Sequence, residues 1–260
     1  MEDYGLVSII CPMYNVSRFI NRTIDCVLAQ TYQNFELLIV DDISTDDSRD
    51  KVLAYDDPRI KLFQNKKNSG AAESRNYAMR EAKGKYIAFL DSDDIWEPTK
   101  LLKQLTFMEK NGYNFSYTNY IEIDEDDNEL GVFITGPKVV TRRKTNRFCY
   151  MGCLTVMYNR EAVGLIQVDP EIKKRNDYAI WLKVIKKEKC YLLDETLARY
   201  RRRTGSISNV SIMTLIKHHY RLFRISEKRN PLSALFCVFR NIWFGFCKKR
   251  HFVKKYKVGD

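Results

Sequence analysis

No stretch of this chain stays apolar for long. The best candidate, Leu232 to Phe246, is fifteen residues interrupted by Arg240 and Asn241, whereas an ordinary membrane span needs about 20. The beginning, MEDYGLVSIICPMYN, opens on acids and carries only the short run LVSIIC, so no secretory leader is expected. Seven cysteines (11, 26, 149, 153, 190, 237 and 247) show no metal-finger spacing. Cys149 and Cys153 form a close pair, but no second Cys or His pair follows, which argues against zinc. Reduced thiols in a cytoplasmic protein are the expectation. Internal repeats and low-complexity tracts are also missing.

What is present is a globular composition, with 45% hydrophobic and 30% charged residues in 260 positions. That is enough to bury a sizeable core. The net charge of +11 is unevenly placed. From Arg201 to Asp260 there are fifteen Lys or Arg against two acids, and the first two hundred residues carry 29 basic and 31 acidic groups. The whole basic excess is therefore in the last sixty positions.

LVSIICPMYN reads as a buried strand stopped by a proline. Ser17 is the expected N-cap of FINRTIDCVLAQ, in which Phe19, Ile20, Ile24, Val27 and Leu28 recur at helical spacing. FELLIVDD follows as a second strand, Asp46 or Asp47 with Ser48 opens a helix toward Leu53, and IKLFQN is a third strand. SGAAESRNYAMREAKG predicts a helix ending at Gly84, and KYIAFL a fourth strand. Such alternation implies an α/β fold with a mostly parallel sheet flanked by helices. In open sheets of this kind, ligands bind beyond the carboxyl ends of the strands. Three polar clusters fall there: Pro12 to Asn15, Asp41 to Ser44, and Asp91 to Asp94. Farther on, KLLKQLTFMEKNG predicts a helix closed by Gly112, NFSYTNYIEI a strand and DEDDNELG an acidic turn. Residues 136–147 read as a mobile loop, GCLTVMYN as a strand, and DYAIWLKVIKKE as an amphipathic helix beginning near Asp177.

The stretch FLDSDDIW places Asp91, Asp93 and Asp94 within four positions, where their charges repel. An Asp-x-Asp at a strand end suits a hard divalent cation such as Mg²⁺ or Mn²⁺, which takes one or two carboxylates and fills its other positions with phosphate and water. The bland alternative is a solvated turn in which Asp94 caps the next helix.

PMYN, VDDISTDDS, NSGAAESRN and FLDSDDIW, in this order and each after a suitable strand, resemble the nucleotide-binding half of the inverting family-2 glycosyltransferases. GCLTVMYN, KRNDYAIWLKVIKK and YRRRTGSIS are similar to later motifs of the bacterial subgroup that builds teichuronic acid and related capsular polysaccharides. The likeness covers about residues 6–210. It implies a GT-A catalytic domain over 1–210, with a nucleotide-binding half at 1–96 and an acceptor-binding half at 97–210. It further implies transfer from a UDP-sugar donor to a lipid-linked saccharide acceptor, with Mn²⁺ or Mg²⁺.

By this resemblance Pro12, Tyr14 and Asn15 line the uridine pocket, and Asp42 accepts the uracil N3–H, unless Asp41 and Asp42 merely cap a helix. Asn68, Gly70, Arg75 and Asn76 match the segment near the nucleotide, with Arg75 either on phosphate or on the helix surface. Asp91 and Ser92 face the ribose or the metal, and Asp93 is the direct metal ligand. Asp177 stands where relatives carry the general base. Asn176 replaces the acid usually written before it, and Trp181 is either beside the acceptor or in the core. Arg201 and Arg203 fall in a motif whose His or Arg reaches the diphosphate from a flexible loop, and Arg203 is assigned to phosphate.

Residues 211–260 predict a basic amphipathic helical tail. One expectation places it in the headgroup region of an anionic membrane, at the inner face of the cell membrane. The other packs it on the catalytic domain or on a second subunit. The rival functional classes are a nucleotidyltransferase, a nucleic-acid binder and a scaffold. PMYN stands where a nucleotidyltransferase would carry a glycine-rich loop with a basic residue, and the tail is more apolar than a phosphate-tracking arm needs, so no nucleic acid is expected.

Overall fold

Two β-branched runs form the centre of the molecule. In the computed structural model, which describes residues 2–203 and 212–259, every residue of β1 (Val7–Met13) and β2 (Phe35–Asp41) is buried. Alternate side chains serve two cores, one on each face. Ile9, Cys11, Leu37 and Ile39 point to one, and Ile10, Leu38 and Val40 to the other. Helix α1 (Ile20–Leu28) covers the first face through Ile20, Ile24 and Val27. After α2 (Ser48–Leu53) and β3 (Ile60–Gln64), helix α3 (Ala71–Glu81) covers the second through Ala78 and Met79. With β4 (Tyr86–Phe89), these strands make the parallel array β3-β2-β1-β4.

The second half mixes parallel and antiparallel pairing. There β5 (Ile95–Trp96), α4 (Lys100–Asn111), β6 (Phe115–Ile123), β7 (Glu129–Ile134), β8 (Val139–Val140), α5 (Arg142–Arg147), β9 (Met157–Asn159), α6 (Arg160–Val163), α7 (Asn176–Val184) and β10 (Cys190–Arg201) follow in turn. Strand β9 runs antiparallel to both β4 and β6, and β7 antiparallel to β6, so the eleven-stranded sheet is mixed. The acidic turn explains the last pairing. Asp124 Oδ1 accepts from the N–H groups of Asp126 and Asn128, closing a tight reversal that only antiparallel strands can share.

Three of the local expectations change, and one strand had no expectation. Ser17 does not cap α1, which begins at Ile20 after a turn in which Phe19 N donates to Val16 O; Ser17 instead ties to Asp46 and Lys51. Helix α3 stops at Glu81, before Gly84. Residues 136–147 are β8 and α5 rather than a mobile loop, because Thr141 caps α5 and Thr145 is buried beneath it. Strand β10 was illegible because shifts of register at Leu193/Thr196 and Thr196/Ala198 break its alternation.

The C-terminal segment is helical and built into the body. It comprises α8 (Ile212–Arg221), a wide turn over Leu222–Ser226, α9 (Pro231–Phe252) and β11 (Val253–Lys255). Asn230 caps α9 by accepting from Ser233 N at 2.8 Å. One side of α9 joins the core through Ala234, Cys237 and Val238, beside Tyr178, Leu222 and Phe223. Asn241 donates to the Tyr178 hydroxyl at 3.0 Å, and β11 lengthens the sheet beyond β7. Packing on the rest of the fold thus accounts for one face of the helix. Truncation after Asn230 should therefore lower the thermal midpoint by about 10 °C or more, since burying three small apolar side chains contributes roughly 3 kcal/mol and each kcal/mol shifts a chain of this size by about 2–4 °C. An unchanged midpoint by near-UV circular dichroism would show the helix to be a mere appendage.

Candidate active site

The carboxyl ends of β1, β2 and β4 open into one cavity of about 610 Å³, closed on the far side by the start of α7 and by α8. Pro12, Tyr14, Asn15, Asp42, Asn68, Gly70, Arg75, Asp91, Ser92, Asp93, Asn176, Asp177 and Arg203 all line it. Three of its supporting residues hold left-handed backbone without being glycine: Asn15 (φ 48°), Ile43 (φ 63°) and Arg175 (φ 63°). For the β-branched Ile43 this conformation is costly, and such strain persists only where neighbours enforce it. Here Asn15 N donates to Ser44 Oγ at 3.0 Å and Thr45 N donates to Asn15 Oδ1 at 2.8 Å, which locks the two loops together.

Asp42 is buried yet reaches the cavity. Its Oδ1 accepts from Asn65 Nδ2 (2.7 Å) and Ser69 N (2.8 Å), and its Oδ2 from Gly70 N (2.6 Å). It therefore folds the 65–70 loop over the site. A carboxylate offers about four lone-pair positions, so one more donor can be accepted. Asp41 points elsewhere and braces Ser44 and Gln64. Arg75 is not a surface residue. Its guanidinium, 5% exposed, donates to Asp91 and to Asn176, and so joins the acidic turn to the start of α7. Burial would lower its pKa, but Asp91 outweighs this and holds the cation firmly charged. Asn76 faces away and exchanges two hydrogen bonds with the backbone of Val168.

The repulsion within FLDSDDIW is resolved by giving each acid its own partner. Asp91 meets Arg75, and Asp93 Oδ2 meets Arg203 Nε at 2.7 Å. Asp94 caps no helix. Its Oδ1 accepts from the backbone N–H of Arg201 at 2.8 Å and pins the end of β10. Burial pushes the Asp94 carboxyl well above the carboxylate range, and Asp93 and Asp91 push it further. Burial also raises Asp93, against the pull of Arg203.

Besides Asn76, two expected site residues do not line the cavity. The fully covered guanidinium of Arg201 donates to the carbonyls of Asp93 (2.7 Å) and Asp124 (2.9 Å) and pairs with Asp127. It braces the acidic turn from behind. Trp181 is core, with its ring edge-to-face on Phe89 at 5.0 Å, because that side of α7 faces the sheet. Beyond Arg203, the YRRRTGSIS motif lies at 204–208, outside the described residues. Sequence reading missed Lys173, Lys174, Arg175, Tyr200 and His218, which also line the cavity. The run KKR directly before Asn176 was the available signal. Burial and the neighbouring Lys174 and Arg221 keep His218 below its ordinary pKa.

A dication fits here only in company. Among the described residues no three His, Cys, Asp or Glu side chains gather closely enough to hold one. Asp91 and Asp93 supply hard oxygens, and the remaining positions fall to phosphate and water, as Mg²⁺ and Mn²⁺ accept.

Residues 8–163 match the sequence family described as Glycosyl transferase family 2. The chain is 41% identical over 235 residues to TuaG of Bacillus subtilis, named for teichuronic acid biosynthesis, covering 89% of this chain and 92% of the relative. It is 40% identical over 250 residues to the Escherichia coli UDP-Glc:alpha-D-GlcNAc-diphosphoundecaprenol beta-1,3-glucosyltransferase WfgD, covering 95% and 96%. In fold it is similar to residues 1–349 of S. aureus TarS in complex with UDP-GlcNAc, with a TM-score of 0.71, 21% identity, and coverage of 92% of this chain and 73% of that one.

Because burial and the neighbouring aspartates raise the Asp94 pKa, Asp94→Asn should keep the bond from Arg201 N and leave stability within about 0.5 kcal/mol at acid pH. Asp94→Ala should cost about 1–3 kcal/mol in urea unfolding. The sign with pH follows from the raised folded pKa. The contribution of Asp94 to stability falls as pH rises above about 4, the unfolded carboxylate value, so Asp94→Asn should gain on wild type over that range. Parallel pH profiles for the two proteins would refute the assignment.

Proposed function

The chain belongs to glycosyl transferase family 2, and from that premise we propose that it transfers a sugar from a UDP-sugar to a hydroxyl of a lipid-linked saccharide in cell-surface polysaccharide synthesis. The observation that carries this reading is the single cavity in which the carboxylates of Asp42, Asp91, Asp93 and Asp177 face the cations Lys173, Lys174, Arg175 and Arg203. The relative named for a UDP-Glc donor and a diphosphoundecaprenol acceptor spans nearly the whole chain, which supports both substrate classes.

The uracil edge lies against Asp42, whose spare acceptor capacity selects a ring with a donor at N3 over one with only an acceptor there. Tyr14 and Asn15 close over the nucleoside. The diphosphate sits between the acidic turn and the basic run 173–175, with Arg203 released from Asp93 to join it. Mn²⁺ or Mg²⁺, held by Asp93 with Asp91 beside it, would neutralise charge developing on the departing UDP. Asp177, in the first turn of α7, takes the proton from the acceptor hydroxyl as that oxygen bonds to the anomeric carbon and the bond to the diphosphate breaks. Attack from the side opposite UDP inverts the anomeric configuration. Asn176 is steered by Arg75 rather than left free for the acceptor.

Two variants separate these roles. Asp93→Ala should abolish Mn²⁺-dependent UDP binding in calorimetry. Asp177→Asn should bind UDP with near-normal affinity while losing transfer by about 100-fold or more, the usual scale for a general base. Normal turnover by Asp177→Asn would remove Asp177 from the mechanism. Absence of UDP binding by the folded wild type with manganese supplied would overturn the donor assignment.

A further inference from the structure

The helix that closes the core has a second face with no partner among the described residues. On α9 the buried stripe is Ala234, Cys237, Val238 and Asn241. On the opposite side, Leu232, Leu235, Phe236, Phe239, Trp243 and Phe246 are between 41% and 81% exposed. At 100° per residue these six cluster within one third of the helix circumference, centred about half a turn from the buried stripe. Single exposed apolar residues are ordinary, whereas a contiguous aromatic patch marks an interaction site.

Charge identifies the occupant. No Asp or Glu occurs between Glu227 and Asp260, while Lys249, Arg250, Lys254, Lys255 and Lys257 follow the apolar stripe and all five are exposed. A second copy packed parallel on this face would bring two such basic ends together and repel. An anionic partner is complementary, and the apolar content exceeds what a purely ionic partner needs. Among the described residues no helix is long and apolar enough to cross a membrane. The 22-residue helix is about 33 Å long, and its apolar side runs the length of four turns. Leu, Phe and Trp on one side with Lys and Arg at the end is the composition of a helix lying in the plane of a bilayer interface.

We propose that the outward face of α9 docks the protein on an anionic lipid bilayer, with the helix axis along the surface. Docking itself stands independently of the glycosyl-transfer reading. Its consequence rests on that reading: α9 packs on α8, which lines the cavity through Leu215 and His218, so the site lies one helix layer from the lipid surface where a lipid-linked acceptor would present its saccharide.

The three tryptophans supply a direct probe. Trp96 and Trp181 are 1% and 0% exposed, while Trp243 is 68% exposed. A blue shift of emission on adding vesicles therefore reports Trp243. With vesicles of phosphatidylcholine and about one third phosphatidylglycerol, wild type should float with the lipid and shift blue. Pure phosphatidylcholine should bind at least tenfold less, and salt should weaken binding. Trp243→Phe should float without the emission shift. Phe239→Ser with Trp243→Ser, both exposed positions, should reduce flotation at least tenfold while UDP binding and the circular dichroism spectrum stay unchanged. Failure of the wild type to float, or flotation unaffected by the double variant, would overturn the proposal. So would light scattering that shows a dimer dispersed by the double variant, which would assign the face to a second copy. Because UDP binding is measured on the same samples, failure of docking and failure of the donor assignment are told apart.

Discussion

A single hydrogen bond, from the backbone N–H of Arg201 to the buried carboxyl of Asp94, ties the two halves of the molecule at the point where chemistry is concentrated. Asp94 belongs to the turn after β4, at the edge of the parallel array. Arg201 ends β10, which pairs parallel to β6 in the second half of the chain. With that bond in place, the Arg201 guanidinium grips the carbonyl of Asp93 from behind and Arg203 emerges in front, against the Asp93 carboxylate. Two arginines two positions apart thus serve the same turn from opposite sides, because Arg201 is the last residue of β10 and Arg203 lies past its end, where the two-residue period of the strand no longer orders the side chains.

The acidic turn is held in readiness at a cost, which its partners offset. Three carboxyls in four positions would repel in isolation. In the folded chain one is matched by Arg75, one by Arg203, and burial raises the pKa of the third. The two guanidinium groups stand against the carboxylates of Asp91 and Asp93, and a fork of donors of this kind suits a carboxylate or a phosphate alike. The turn is therefore shaped before any substrate arrives, which reduces the reorganisation required when charge develops there.

Much of this was legible in the residues. Buried β-branched runs gave β1, β2 and β4, and the polar clusters that follow them were placed at the sheet's carboxyl end, where the cavity lies. Residues whose signal was local to a strand end, such as Asp42 and Asp93, fell on the cavity wall. Residues named only for their neighbourhood in sequence did not. Arg201 alternates away from the cavity, Trp181 sits on the sheet side of α7, and Asn76 sits on the far side of α3. No local pattern revealed β10, since its bulges erase the period of two, or α5, whose stability comes from α7 and α9 across the chain. The basic run 173–175 was visible but mute, because only the fold brings it opposite the aspartates.

The strand β11 carries a consequence of another kind. It and α9 are late in the chain, yet they cover residues of the central core and bond to β7, formed more than a hundred positions earlier. Contacts of such long sequence separation form slowly. During synthesis, the inner strands must therefore wait with an uncovered apolar flank until residues 231–255 have left the ribosome, and that interval is when the chain is most exposed to aggregation and most in need of a chaperone.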